Sequence, residues 1–291
     1  MPKEVIHIKN NPTQKGFAEI THDVVFSRAG GEEIKMSLIL PKPVEGSKVR
    51  DKYPLIVFLQ GSGWTAPCIY YQIPQMSYFA KNGYAVAMIT HRNCRDSVPG
   101  KDFPAFLIDT KCAIRYLRAH ADEYGIDKER VAFWGTSSGG NTALLVALTG
   151  DDPRYKTEYP EESDAVKCVL DCFGPSDMTD QATWRTPGIT ELPGDSVFYY
   201  LTGSHDPYSE RMKEISPILL LEGKKSLPPI LLMHGDKDMA VPLYQSERMY
   251  DALLKAGHDA EMIVVEGAPH EGSFWTDELM ALAADFIKRK L

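Results

Sequence analysis

Residues 131–148 read VAFWGTSSGGNTALLVAL, and this stretch restricts the possible folds more than any other part of the chain. An apolar run suited to a strand, Val131–Trp134, enters a turn of glycine and small hydroxyl residues and leaves as a helix-forming segment, Gly139–Leu148. When a strand turns this sharply into a helix, the residues two before and two after the apex come together, so only small ones fit. Gly135 and Gly139 meet that condition around Ser137, whereas Ser138 would have Thr136 in the first of those places. The Ser137 hydroxyl would then stand at the carboxyl edge of a sheet. The Ser138 N–H and the helix N-terminus would point at an anion.

The rest of the chain alternates in the way such a turn requires. Asp23–Arg28 and Glu33–Leu40 read as two strands joined through a glycine turn. Leu55–Leu59, Tyr84–Ile89, Val131–Trp134, Val166–Leu170, Ile230–Met233 and Met262–Val265 are apolar runs suited to strands covered on both faces. Helical stretches lie between them, at 104–121, Gly139–Leu148, Leu243–Ala256 and Phe274–Lys288. The expectation is an α/β fold with a mostly parallel central sheet and helices on both faces. Patterning continues to the last helix with no linker, so residues 1–291 are expected to form a single domain. The irregular stretch 178–217 is the candidate lid, a short insertion rather than a large cap.

Composition narrows the classes of function. Apolar residues are 43% of the chain, which excludes a disordered one. Lys and Arg total 32 against 40 Asp and Glu, a formal charge of −8. With no long basic run, neither nucleic acid nor an anionic membrane is an expected partner, and neutral substrates are favoured over anionic ones. No apolar stretch approaches the ~18 residues of a membrane span. The start, MPKEVIHIKNN, lacks the apolar core of a secretory signal, and the five cysteines suit a reducing compartment, so a cytoplasmic location is expected. Cys168 and Cys172 lie in an apolar strand-like run, and no metal is expected.

A serine at such an apex needs a base, and the base needs an orienting acid. Both are expected at the ends of later strands. Ile230–Met233 runs into HGDKDMAVP, which holds Asp236 and Asp238. Asp238 is preferred, and Asp236 reads as a turn residue. The last strand runs into the loop containing His270. The other seven histidines precede the serine or the acid, or lie in the irregular segment or a turn. Backbone donors for a tetrahedral oxyanion are expected from the small residues Gly61, Ser62 and Gly63, after the strand Leu55–Leu59. The same loop fits the dinucleotide pattern G-x-G-x-x-A, but Pro67 follows instead of a helix, and the next strand leads to His91 and Arg92 instead of an acid.

With these residues in place, the sequence resembles the α/β-hydrolase esterases. It most resembles the small carboxylesterases grouped with feruloyl and acetyl-xylan esterases and with the hormone-sensitive-lipase-like branch. The resemblance runs from about Glu33 to the C-terminus and is carried by QGSGW at 60–64, HR at 91–92, FPAFLIDTKCAIRYLRAHADEYGID at 103–127 and WGTSSGG at 134–140. FGPSDM at 173–178, SPI at 216–218, HGDKDMAVP at 234–242 and PHEGSFW at 269–275 complete it. The resemblance implies that Ser137 is the nucleophile, Asp238 the acid and His270 the base, with oxyanion N–H groups from Ser62, Gly63 and Ser138. It implies a serine carboxylesterase acting through an acyl-enzyme on neutral esters, among them acetyl or feruloyl esters of plant polysaccharide fragments, without a cofactor. An arylformamidase-like amidase and a catalytically silent ligand-binding protein are the alternatives on the same fold. Trp64 and Trp275, with Phe173 and Phe274, flank the motif loops and are candidates to line the substrate pocket. Two positions depart from the family pattern: H-G-G-G becomes Gln60-Gly61-Ser62-Gly63, and the usual alanine after the nucleophile is Ser138.

Overall fold

The computed structural model describes residues 5–9, 17–42, 52–96, 100–180, 182 and 196–291. Eight strands form one sheet: β1 (Phe17–Ser27), β2 (Ile34–Lys42), β3 (Tyr53–Leu59), β4 (Ala85–Ile89), β5 (Ile126–Thr136), β6 (Cys168–Cys172), β7 (Ile230–Gly235) and β8 (Ala260–Val265). Their order is β1-β2-β4-β3-β5-β6-β7-β8. The β1–β2 and β2–β4 pairs are antiparallel and all others are parallel. The mostly parallel α/β arrangement expected from the sequence is the one observed.

The continuous apolar runs are explained by what covers them. Side chains alternate across a strand, so β3 sends Leu55, Val57 and Leu59 into one core and Ile56 and Phe58 into the other. The first core is closed by helices α2 (Ala105–Ala119), α4 (Ser138–Leu148) and α8 (Tyr244–Lys255). The second lies under α1 (Ile73–Lys81) and α9 (Asp277–Lys290). Helix α4 is buried along its whole length, with small and polar residues in its first turn and the apolar run Ala143–Leu148 after them.

Boundaries moved where local pattern is a weak guide. β1 begins at Phe17 because its polar residues lie on the exposed edge of the sheet. β6 covers 168–172 rather than 166–170, since pairing of Ala132 with Cys168 and of Thr136 with Cys172 sets its register. Helix α9 starts at Asp277, where the Thr276 hydroxyl accepts a hydrogen bond from the Leu279 N–H at 3.1 Å, and Gly272–Phe274 before it form a 3₁₀ turn.

Of the candidate lid, residues 181 and 183–195 lie outside the described residues. The described part after them forms three short helices, α5 (Ser196–Thr202), α6 (Glu210–Glu214) and α7 (Pro217–Leu220), with α3 being the single turn Ala121–Tyr124. This part is tied to the body. The Phe103 N–H donates to the Leu201 carbonyl at 2.7 Å, and the Asn141 side-chain amide donates to the Ile215 carbonyl at 2.9 Å.

Candidate active site

Ser137 occupies the apex between β5 and α4 with φ 53° and ψ −120°, a conformation that a residue with a Cβ rarely adopts. It is held there from both sides. The Ser137 N–H donates to the Cys172 carbonyl at 2.8 Å, and the Asn141 N–H donates to the Ser137 carbonyl at 3.0 Å. The close approach anticipated at the turn is present, because a Cβ on Gly135 would sit 1.8 Å from the Gly139 carbonyl oxygen.

Two loops from later strands meet this apex. His270, after β8, places Nε2 2.9 Å from the Ser137 hydroxyl oxygen and Nδ1 2.6 Å from the Asp238 carboxylate. Nδ1 faces a carboxylate and therefore carries the ring hydrogen, which leaves Nε2 free to accept from the Ser137 O–H. Asp238, after β7, is saturated with donors: its other oxygen accepts from the Ala240 and Val241 N–H groups at 2.7 and 2.8 Å. Burial acts to push the Asp238 carboxyl up, but hydrogen bonds from His234 and His270 outweigh it and hold the group well below the usual carboxylate range. Asp238 is thus an anion at neutral pH. Asp236 points elsewhere and accepts from the Gly267 N–H at 2.6 Å, bracing the β7 and β8 loops against each other rather than bonding within its own turn.

His234 escaped the sequence reading because it precedes the acid. It is fully buried, with Nε2 3.2 Å from the Asp238 carboxylate and 2.8 Å from the Val241 carbonyl, and Nδ1 2.7 Å from the Ser246 hydroxyl. Its position at the end of an apolar strand, next to the acid loop, was the available signal.

The loop after β3 approaches from the other side. A Cβ on Gly61 would lie 2.5 Å from the Ser137 Cβ, so this position tolerates no side chain. The Gly61 N–H donates to the Thr136 hydroxyl at 2.7 Å. The Ser62 N–H, expected at the oxyanion, instead donates to the Ser138 hydroxyl at 2.9 Å. The hydroxyl of the residue after the apex supplies that acceptor. Among the described residues no hydrogen bond engages the N–H groups of Gly63 and Ser138, the two remaining candidates. The bracing histidine of H-G-G-G is replaced by other contacts. The Gln60 side chain accepts from the Cys68 N–H at 3.1 Å, and Ser62 and Thr65 exchange hydroxyl-to-carbonyl hydrogen bonds at 2.6 and 2.7 Å.

Comparison with known proteins places this geometry. The BD-FAE family profile matches residues 44–253, well over half of the chain. The chain belongs to the BD-FAE family. Consistent with membership, it is similar to a carbohydrate esterase from gut microbiota, solved in truncated form, with 27% identity, a TM-score of 0.79 and coverage of 97% of this chain and 99% of that one. It is also similar to a bifunctional GH43-CE protein of Bacteroides eggerthii, with 26% identity, a TM-score of 0.78, and coverage of 93% of this chain and 35% of that one. Esterase LipC of Mycobacterium tuberculosis is 33% identical over 132 residues, which are 45% of this chain and 32% of LipC. The matches to the first curated relatives span between about a quarter and about half of those proteins' lengths. The architecture is the α/β-hydrolase fold, and the family is one of α/β-hydrolase esterases.

Within this family member, the two tryptophans expected near substrate part company. Trp64 is turned into the core at 3% exposure, with φ 60° and its ring 6.4 Å from that of Phe106, so it cannot line an open pocket as it stands. Trp275 is half-buried; its indole N–H donates to Glu271 at 2.7 Å and its ring borders a groove with Pro74, Tyr78 and Met280. Phe173 is buried, its ring 4.5 Å from that of His270 and 6.4 Å from that of Trp275. Among the described residues no group of His, Cys, Asp and Glu could hold a metal ion, and no helix is long and apolar enough to cross a membrane.

A second carboxyl lies under the apex. Asp171 on β6 is fully buried and accepts one hydrogen bond, from the Gly174 N–H at 3.0 Å. Burial pushes it up to about 8, so it is protonated at neutral pH. The unfolded carboxyl ionises near pH 4, so the wild-type fold loses stability as pH rises from about 4 to about 8. Asp171→Asn removes this dependence. Its melting temperature relative to wild type is expected to be higher at pH 8.5 than at pH 5, read by thermal unfolding at both; an offset that is the same at both pH values would contradict a protonated Asp171.

Proposed function

We propose that the protein is a serine carboxylesterase. The observation that carries this reading is the row from the Ser137 hydroxyl through His270 to the Asp238 carboxylate, with links of 2.9 and 2.6 Å. His270 takes the Ser137 proton as the hydroxyl oxygen attacks an ester carbonyl, and Asp238 stabilises the resulting imidazolium. The developing oxyanion is met by the Gly63 and Ser138 N–H groups, the latter at the N-terminus of α4. Each such donor typically stabilises the transition state by about 3–4 kcal/mol. The alcohol departs with the proton from His270, and water activated by the same base releases the acid. Because Asp238 stays ionised well below neutral pH, loss of the acid does not set the low-pH limit of the rate.

The similarity to a carbohydrate esterase along nearly the whole of both chains supports acyl groups on polysaccharide fragments, acetyl or feruloyl, as the substrate class. Since the eight described strands share one sheet, we read the chain as one domain. A fluorophosphonate probe should label Ser137 stoichiometrically, located by peptide mass spectrometry. The same preparation should release acetate or ferulate from acylated xylo-oligosaccharides. Failure of labelling in protein that binds an ester without turning it over would favour a silent ligand-binding protein instead.

A further inference from the structure

We propose that Arg95 forms a carboxylate-binding subsite beside the oxyanion loop, so that the preferred esters carry a carboxylate as well as the reacting ester. This rests on the esterase reading above and concerns which esters that site selects. Arg95 lies in the 3₁₀ turn Cys94–Asp96, which is joined to the oxyanion loop by the hydrogen bond from the Cys94 N–H to the Trp64 carbonyl at 3.0 Å. Its guanidinium carbon stands 5.1 Å from the centre of the Tyr200 ring. Tyr200 is buried, and its hydroxyl donates to the Gly63 carbonyl at 3.4 Å. Gly63 also makes room: a Cβ there would come within 3.0 Å of the Arg95 Nη2. A turn, an aromatic face and a glycine thus position the guanidinium next to the residue whose N–H faces the reaction.

The cation is held by Tyr200 but is not neutralised by a carboxylate among the described residues. Arg92, three positions earlier, closes on Asp109 at 2.8 Å, whereas Arg95 is exposed and meets no carboxylate among the described residues. A guanidinium is weakly hydrated, keeps its charge at any physiological pH, and presents a fork that matches a carboxylate in two parallel hydrogen bonds. The Tyr200 ring and a side-chain hydrogen bond with its hydroxyl hold the guanidinium, and the fork has further N–H donors for a ligand. The net charge of −8 does not cancel this effect, because charges beyond about 8–10 Å are largely screened at physiological salt. A positioned cation at the mouth of the site therefore decides the local preference, against the neutral substrates that the overall charge suggested.

The carboxylate can belong to the acyl group or to the alcohol, and matched pairs separate the two. One pair is 4-nitrophenyl valerate against the mono-4-nitrophenyl ester of glutaric acid. The other is an acetylated methyl glucoside against the equally acetylated methyl glucuronoside. In one pair the wild type should favour the charged ester in kcat/KM, with the ratio falling as salt is raised to 0.5 M. Arg95→Gln should lower that charged-to-neutral ratio at least tenfold, and Arg95→Lys, which keeps charge but loses the fork, should fall between. The pair that responds identifies which side of the substrate bears the carboxylate. Ratios that neither Arg95→Gln nor salt changes in either pair would overturn the subsite. If the wild type hydrolyses none of the four esters, the esterase reading fails instead.

Discussion

Ser137→Ala is expected to lower kcat on 4-nitrophenyl acetate by roughly 10⁴–10⁶-fold while leaving the melting temperature close to that of the wild type. Alanine keeps the Cβ around which the turn closes, and the backbone hydrogen bonds at the apex do not involve the hydroxyl. The variant therefore removes the attacking oxygen without relaxing the turn. What remains is the binding and oxyanion contribution, which alone gives residual turnover over water. Assay of a variant purified from a host without background esterase decides the matter. Turnover above a tenth of wild type, in a sample of verified sequence, would remove Ser137 from the chemistry.

Asp164→Ala is expected to produce the largest loss of stability. Asp164 accepts from the Lys111 ammonium at 2.5 Å and from the Arg115 guanidinium at 2.6 Å, and all three side chains are fully buried. It also accepts from the Asp151 N–H at 2.9 Å, closing the loop between α4 and β6. Neither cation can reach water, so removing the carboxylate strands two charges rather than one. Breaking a buried pair from one side typically costs about 3–5 kcal/mol. For a chain of this size that corresponds to a fall in melting temperature of roughly 10 °C. A change below about 1 kcal/mol in denaturant unfolding would show that the Thr149 carbonyl suffices for Lys111 and the Glu158 carbonyl for Arg115.

Much of the fold was legible because its strongest signals are local. The apolar runs of β3, β4 and β7 were readable, since a strand buried on both faces admits few polar residues. β6 slipped by two residues, because an apolar run carries no information about which partner residue it faces. At the site, the positions of Ser137, Asp238 and His270 could be singled out from strand ends and chain order, and the structure brings the three side chains together. His234 has only its place at the end of an apolar strand to mark it, because no spacing announces its contacts with Asp238, Val241 and Ser246. The assignment of Ser62 to the oxyanion followed family pattern. It met an acceptor, the Ser138 hydroxyl, 76 positions away.

Local chemistry along the chain is enough for the apex: small residues at 135 and 139, a serine between them, and an apolar strand and helix on either side form one turn through contacts only a few residues apart. It also determined which strand ends could carry an acid and a base. The strand order, the fate of each amide in the oxyanion loop, the burial of Trp64 and the exposed guanidinium of Arg95 arise from packing between distant segments. These depend on pairs such as His270 and Ser137, 133 positions apart, whose meeting is set by sheet register and by which side chains fill the space between. Sterics within a turn act through neighbouring residues, whereas the identity of a distant hydrogen-bond partner exists only once the sheet has closed.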